Sequence, residues 1–173
     1  MQIAEDDETL NEKTGEVRSD TGELYRSWEK NYGVVDSPRT QCVYGFLNKN
    51  NTIETSGLRI TSETDFAVIA VSSLTDAPIC SSDNLLLTTV GRAVNTNARF
   101  DGDEMLEYGE PPILVEVIKT EISIKTEQKL MKVWAVNAEG FFTGTVAGKW
   151  EEGVFSFKLG DTMPSMYYLI QAE

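Results

Sequence analysis

The sequence predicts an all-β domain, a two-sheet antiparallel β-sandwich of jelly-roll-like type. Three observations carry this. Short apolar or alternating segments recur at regular spacing between Gly-, Pro- and Asn-rich turns. No segment sustains a helical repeat. Two segments, FAVIAVSS at 66–73 and LLLTTVGRAV at 85–94, are apolar on both faces of the pleat, the pattern of central strands covered on both sides.

The elements follow in order. Residues 1–18 are polar, acidic and aperiodic, the composition of a linker or tail, with 19–173 forming the sandwich domain. Residues 24–28, 33–36 and 41–47 read as three strands, the last gap punctuated by Ser37-Pro38 because proline cannot donate to a ladder. After the turn cluster at 48–51, residues 52–60 give a weak strand. Residues 66–73 and 85–94 are the buried pair, joined by a loop carrying Pro78. Gly91 marks a bulge or a close backbone approach. Residues 95–112, NTNARFDGDEMLEYGEPP, read as the longest loop of the domain. Strands are expected at 113–117, 120–125, 131–136, 141–146, 153–159 and 167–170. The pair 131–136 and 141–146 is a hairpin closed by Asn137-Ala138-Glu139-Gly140.

Composition narrows the function. A hydrophobic fraction of 40% over 173 residues is that of a folded domain with a real core. A net charge of −13 repels phosphate backbones and anionic lipid, so neither nucleic acid nor a membrane surface is an expected partner. Uncharged polysaccharide stays open. The chain has no histidine, which excludes Ser-His and Cys-His triads and the commonest metal ligand. Cys42 and Cys80 lack zinc spacing; they are two buried thiols or one bridge. No apolar run has the length to span a bilayer. The N-terminus lacks the basic and apolar regions of a signal peptide, which leaves a cytosolic protein or a module cut from a longer chain.

The opening segment SDTGELYRSWEKNYGVVDSPRTQCVYGFL resembles the start of the β-sandwich module that follows the catalytic barrel in large modular bacterial glycoside hydrolases. LLLTTVGRAVNT, PPILVEVIKTEISIK, KVWAVNAEGFFTG and TMPSMYYLIQ are similar to later strands of that module, in order. The resemblance implies an extracellular, polysaccharide-degrading context, a catalytic domain in the same enzyme as partner, and no catalytic centre in this chain.

Sugar recognition needs a flat apolar ring against pyranose C–H groups and polar groups for the hydroxyls. Tyr25, Trp28, Tyr32 and Trp150 are the candidate rings, and Arg92 and Asn95 the polar partners. Trp28 and Trp150 sit among charged neighbours and should stand partly exposed, whereas Trp134, between Val133 and Ala135, should be core. Asp101, Asp103 and Glu104 have the composition of a hard-cation loop, without EF-hand spacing; they are candidates for a structural calcium or a solvated acidic turn. No Asp or Glu lies in a recognisable catalytic motif. The expectation is a non-catalytic carbohydrate-binding accessory module holding a neutral β-glycan. The alternative is a structural sandwich that packs on the barrel and binds no sugar, whose exposed aromatics form one contiguous patch.

Overall fold

The computed structural model describes residues 10–11, 14–160 and 162–173. Among the described residues the regular structure is strand, apart from one short 3-10 turn. β1 (Leu10–Asn11), β2 (Glu16–Arg18), β3 (Leu24–Ser27), β4 (Tyr32–Asp36) and β5 (Thr40–Phe46) run as an antiparallel meander. A 3-10 turn at Leu47–Lys49 precedes β6 (Ile53–Glu54), β7 (Leu58–Ser62), β8 (Phe66–Ser73) and β9 (Asn84–Val90). β10 (Ala93–Thr96), β11 (Arg99–Asp101), β12 (Glu104–Glu107) and β13 (Glu110–Val115) follow. The last third comprises β14 (Thr120–Lys125), β15 (Met131–Val136), β16 (Phe142–Val146), β17 (Gly148–Glu151), β18 (Val154–Leu159) and β19 (Tyr167–Ala172).

Two sheets carry the body. The larger has ten strands in the order β1-β2-β3-β4-β5-β8-β9-β19-β15-β16, and the smaller has five, β17-β18-β14-β7-β6. Their facing sides meet in one core. Val43, Ile69, Val71, Leu85, Leu87, Val133 and Ile170 come from the large sheet, and Leu58, Ile60, Ile122, Ile124, Phe155 and Phe157 from the small one. These positions alternate along each strand, since successive side chains point to opposite faces.

Gln41 joins the sheets at one end. Its Nε2 donates to Ser56 Oγ (2.7 Å), and its Oε1 accepts from Thr55 Oγ1 (2.6 Å) and Gly57 N (3.1 Å). No buried side-chain N or O atom among the described residues lacks a partner.

Several sequence expectations need correction. The 95–112 segment is not a loop: with its flanks it forms two short antiparallel ribbons, β10–β13 and β11–β12. Polar composition hid the strands, because a ribbon in solvent needs no apolar core face. Residues 85–94 divide into β9 and β10 around Gly91. A Cβ there would lie 2.6 Å from Ile118 Cδ1, so the close approach at Gly91 is made by a side chain and not by another backbone. The weak strand at 52–60 is β6 and β7 around a turn. The sheet also starts before residue 19, for β2 pairs with β3; most of the rest of the acidic stretch lies outside the described residues.

The largest correction concerns covering. β8 and β9 carry apolar residues on both faces, with Ser72, Asn84 and Thr88 among the outward ones, yet the small sheet covers only one face. The other face of the large sheet has no layer upon it among the described residues.

Candidate functional site

The candidate sugar-binding residues do not converge. Tyr25 is 9% exposed and belongs to the core, because β3 turns it inward beside Val34. Tyr32 is half-buried against that core, its ring 5.7 Å from that of Tyr25. Trp28 stands out in the β3–β4 turn at 44% exposure. Trp150 lies on β17, in the other sheet. It is half-buried against the core, with Nε1 donating to Thr126 O at 3.4 Å. Arg92 pairs with Asp65 at 3.1 Å, and Asn95 Nδ2 donates to Tyr108 O at 2.9 Å. Charge flanking a tryptophan in sequence therefore did not separate strand from turn.

Tyr25 and Tyr32 do share one polar cleft of about 330 Å³ with Glu16, Arg18, Lys30, Asp36 and Glu54. Tyr25 Oη donates to Glu16 Oε1 (2.6 Å), and Lys30 Nζ donates to the same oxygen (3.1 Å). The Tyr25 bond, then that of Lys30, holds the Glu16 carboxyl below the ordinary carboxylate range. Burial first, then the bond to Glu16, raises the Tyr25 phenol. Trp28 does not line this cleft.

Asp101, Asp103 and Glu104 lie at the tip of the β11–β12 hairpin, all exposed. Gly102 has φ +58 at the first central position of a two-residue turn, the conformation that favours glycine there. Among the described residues no group of three or more His, Cys, Asp or Glu is placed to hold a metal ion. Cys42 and Cys80 are both free thiols. Cys80 is exposed rather than buried, and burial pushes the Cys42 thiol up to about 11.

What the fold does assemble is the uncovered face of the large sheet. The register brings Leu86 of β9 beside Ser72 of β8 and Leu169 of β19, and Leu169 beside Trp134 of β15. Val136 pairs with Tyr167 on one side and Phe142 on the other. Toward β5 the same face carries Val68, Ala70, Cys42, Tyr44, Phe46 and Phe66. Rings cluster at both ends: Trp134 and Phe142 lie 5.3 Å apart, Phe46 and Phe66 5.6 Å. Trp134, expected in the core, belongs to this face because β15 sends Val133 and Ala135 inward.

The charged groups here are cations laid over rings. Arg26 Cζ lies 5.5 Å from the Tyr44 ring centre, Lys49 Nζ 5.1 Å from Phe46, and Lys132 Nζ 5.9 Å from Trp134; all are within reach of the ring quadrupole. Tyr44 reaches Arg26 by crossing Gly33, where a Cβ would stand 2.3 Å from Tyr44 Cζ. Lys132 also pairs with Glu173. Among the described residues no carboxylate occupies an outward strand position of this face from β3 to β16; acids sit at strand ends and in turns.

The β10–β13 segment forms an arm. Every residue from Arg99 to Val117 is exposed, including Phe100, Met105, Tyr108 (81%) and Ile113 (65%). Phe100, Met105, Tyr108 and Ile113, with Ala93 and Ala98, line a shallow cup of about 270 Å³. The arm is pinned by Arg99–Glu107 (2.8 Å) and by Thr96 Oγ1 donating to Pro112 O (2.7 Å). Gly109, at φ +67, lets the backbone pass Thr96 O, which a Cβ would meet at 2.3 Å.

No protein-family model, no curated protein and no solved structure matches this chain.

Proposed function

We propose that this chain is a non-catalytic interaction module that works by docking protein through the uncovered face of its large sheet. The single observation that carries the reading is the apolar group Phe66, Val68, Ala70, Leu86 and Val90 on the side of β8 and β9 that the small sheet does not cover, beside polar Ser72, Asn84 and Thr88. Contiguous exposed apolar patches mark interaction sites. Rings capped by cations suit a protein partner better than a sugar, whose C–H face would have to displace the cation. The test is binding of the dye ANS by dilute chain, compared with Leu86→Lys/Leu169→Lys. Dye binding that the double variant loses supports a docking face; equal binding by both overturns it.

A second reading keeps the carbohydrate-binding role, and the cleft shared by Tyr25 and Tyr32 favours it. Tyr32 offers a half-exposed ring, and Glu16, Asp36 and Glu54 offer acceptors for sugar hydroxyls. In an extracellular glycan-degrading enzyme such a site would raise local substrate concentration for a tethered catalytic domain. Affinity gel electrophoresis against cellulose derivatives, xylan and mannan decides it: retardation lost in Tyr32→Ala supports glycan binding, and no retardation on any of them removes it.

A further inference from the structure

We infer that the face is filled by a second copy of this chain: the acidic, apolar arm at 93–117 of one copy lies across the cation-bearing uncovered face of the next, head to tail. The inference rests on the docking reading above and names its partner. Three observations meet in it.

The first is the arm's own insufficiency. An isolated two-stranded ribbon is marginal in water, and these two carry Phe100, Met105, Leu106, Tyr108, Ile113 and Leu114 exposed, with no third strand over them among the described residues. Its apolar cup needs an apolar surface.

The second is charge. Six carboxylates (Asp101, Asp103, Glu104, Glu107, Glu110 and Glu116) accompany a single guanidinium, Arg99, in the arm. Among the described residues the face presents Arg26 and Lys49, with Lys132 paired to Glu173, and no outward carboxylate on its strands from β3 to β16. Within a chain of net charge −13, the two surfaces are therefore complementary to each other though most of the molecule repels its copy.

The third is dimension. The seven strands from β4 to β16 span about 29 Å at a strand spacing of about 4.8 Å. From Ala93 to Asp101 the arm extends at most about 26 Å at about 3.3 Å per residue, shortened by the turn where Ala98 N donates to Asn95 O. The contact is heterologous, since arm and face are different surfaces. It closes into a ring when the rotation between copies permits, each copy then using both surfaces.

The experiment is sedimentation velocity on the full chain across the micromolar range. Two singly defective variants accompany it: Phe100→Glu/Met105→Glu in the arm and Leu86→Glu/Leu169→Glu in the face. Expected are an oligomer for the wild type, monomers for each variant alone, and a dimer on mixing the two. In that dimer the intact arm of the face variant meets the intact face of the arm variant. Each variant should weaken self-association by about 100-fold or more. A second arm variant, with residues 98–108 replaced by an Asn-Gly turn, guards against misfolding; it should keep the thermal midpoint and lose the oligomer.

A wild type that stays monomeric, an oligomer that survives either arm variant, or a mixture that stays monomeric overturns the inference. If dye binding by the dilute chain still depends on Leu86 and Leu169, the docking face stands and a different protein fills it. If that dependence is also absent, both readings fall.

Discussion

Leu86 and Leu87 are neighbours on β9 that face opposite ways, and they allow the central claim to be weighed in energy. Leu87 is 0% exposed and packs between the two sheets; Leu86 is half-buried on the uncovered face, between Ser72 and Leu169. Truncating Leu87 to alanine removes transfer free energy and leaves a cavity that both sheets must span, a cost of about 3 kcal/mol. Truncating Leu86 removes contacts on one side only and leaves no enclosed cavity, so the cost is about 1 kcal/mol. For a chain of this length each kcal/mol moves the midpoint by about 2–4 °C. Leu87→Ala should therefore melt about 9 °C lower than wild type and Leu86→Ala about 3 °C lower. The assay is urea and thermal unfolding followed by circular dichroism, at a concentration low enough to keep the chain monomeric. Equal losses for the two variants would mean that the outward face is already packed in the single chain, and the docking reading would have no surface to act on. Raising the concentration should widen the gap between Leu86→Ala and wild type, because association then stabilises only the intact face.

Other expectations are independent of that one. Gln41→Ala leaves Ser56, Thr55 and Gly57 without their partner at the junction of the sheets, and should cost about 2 kcal/mol in urea unfolding. A loss below about 0.5 kcal/mol would show that water replaces the amide freely. With a thiol-reactive disulfide at mildly alkaline pH, Cys80 should react fast and Cys42 slowly, since the Cys42 thiol is pushed from 9.0 to about 11. The stability that Cys42 gains by staying neutral is present below pH 9.0 and is lost as pH rises through about 11. Two equally fast thiols would contradict its burial. A carboxyl titration by NMR should place Glu16 below the ordinary range, and Tyr25→Phe should move it back upward. Because that pKa is lowered, its contribution is held above the unfolded value and lost as pH falls through the folded one. No movement in Tyr25→Phe would remove the phenol as the principal cause.

Much of the architecture was written in local pattern. β8, β14 and β15 coincide with the strands expected, because alternation or a bounded apolar run states a pleat directly. The paired character of β15 and β16 was likewise legible from the Asn/Gly turn. The ribbons β10–β13 were legible only at their ends, in the strands expected at 85–94 and 113–117; β11 and β12 were not, since they lie in water and carry no core face to produce a period. The candidate site suffered similarly. Tyr25 and Trp134 were assigned to the wrong environments because sequence gives the parity of a strand and not which side is inward.

The amino-acid order by itself determined that this chain is a two-sheet antiparallel sandwich and that its central strands are apolar on both sides. Propensity, turn chemistry and period act within a few residues, so they survive being read one at a time. Only the tertiary structure decided that the second side stays uncovered, that cations rather than carboxylates decorate it, and that an acidic apolar arm projects from the same chain. Those facts depend on which strands become neighbours across dozens of residues, and long-range pairing is set by the global packing of the core rather than by any segment alone.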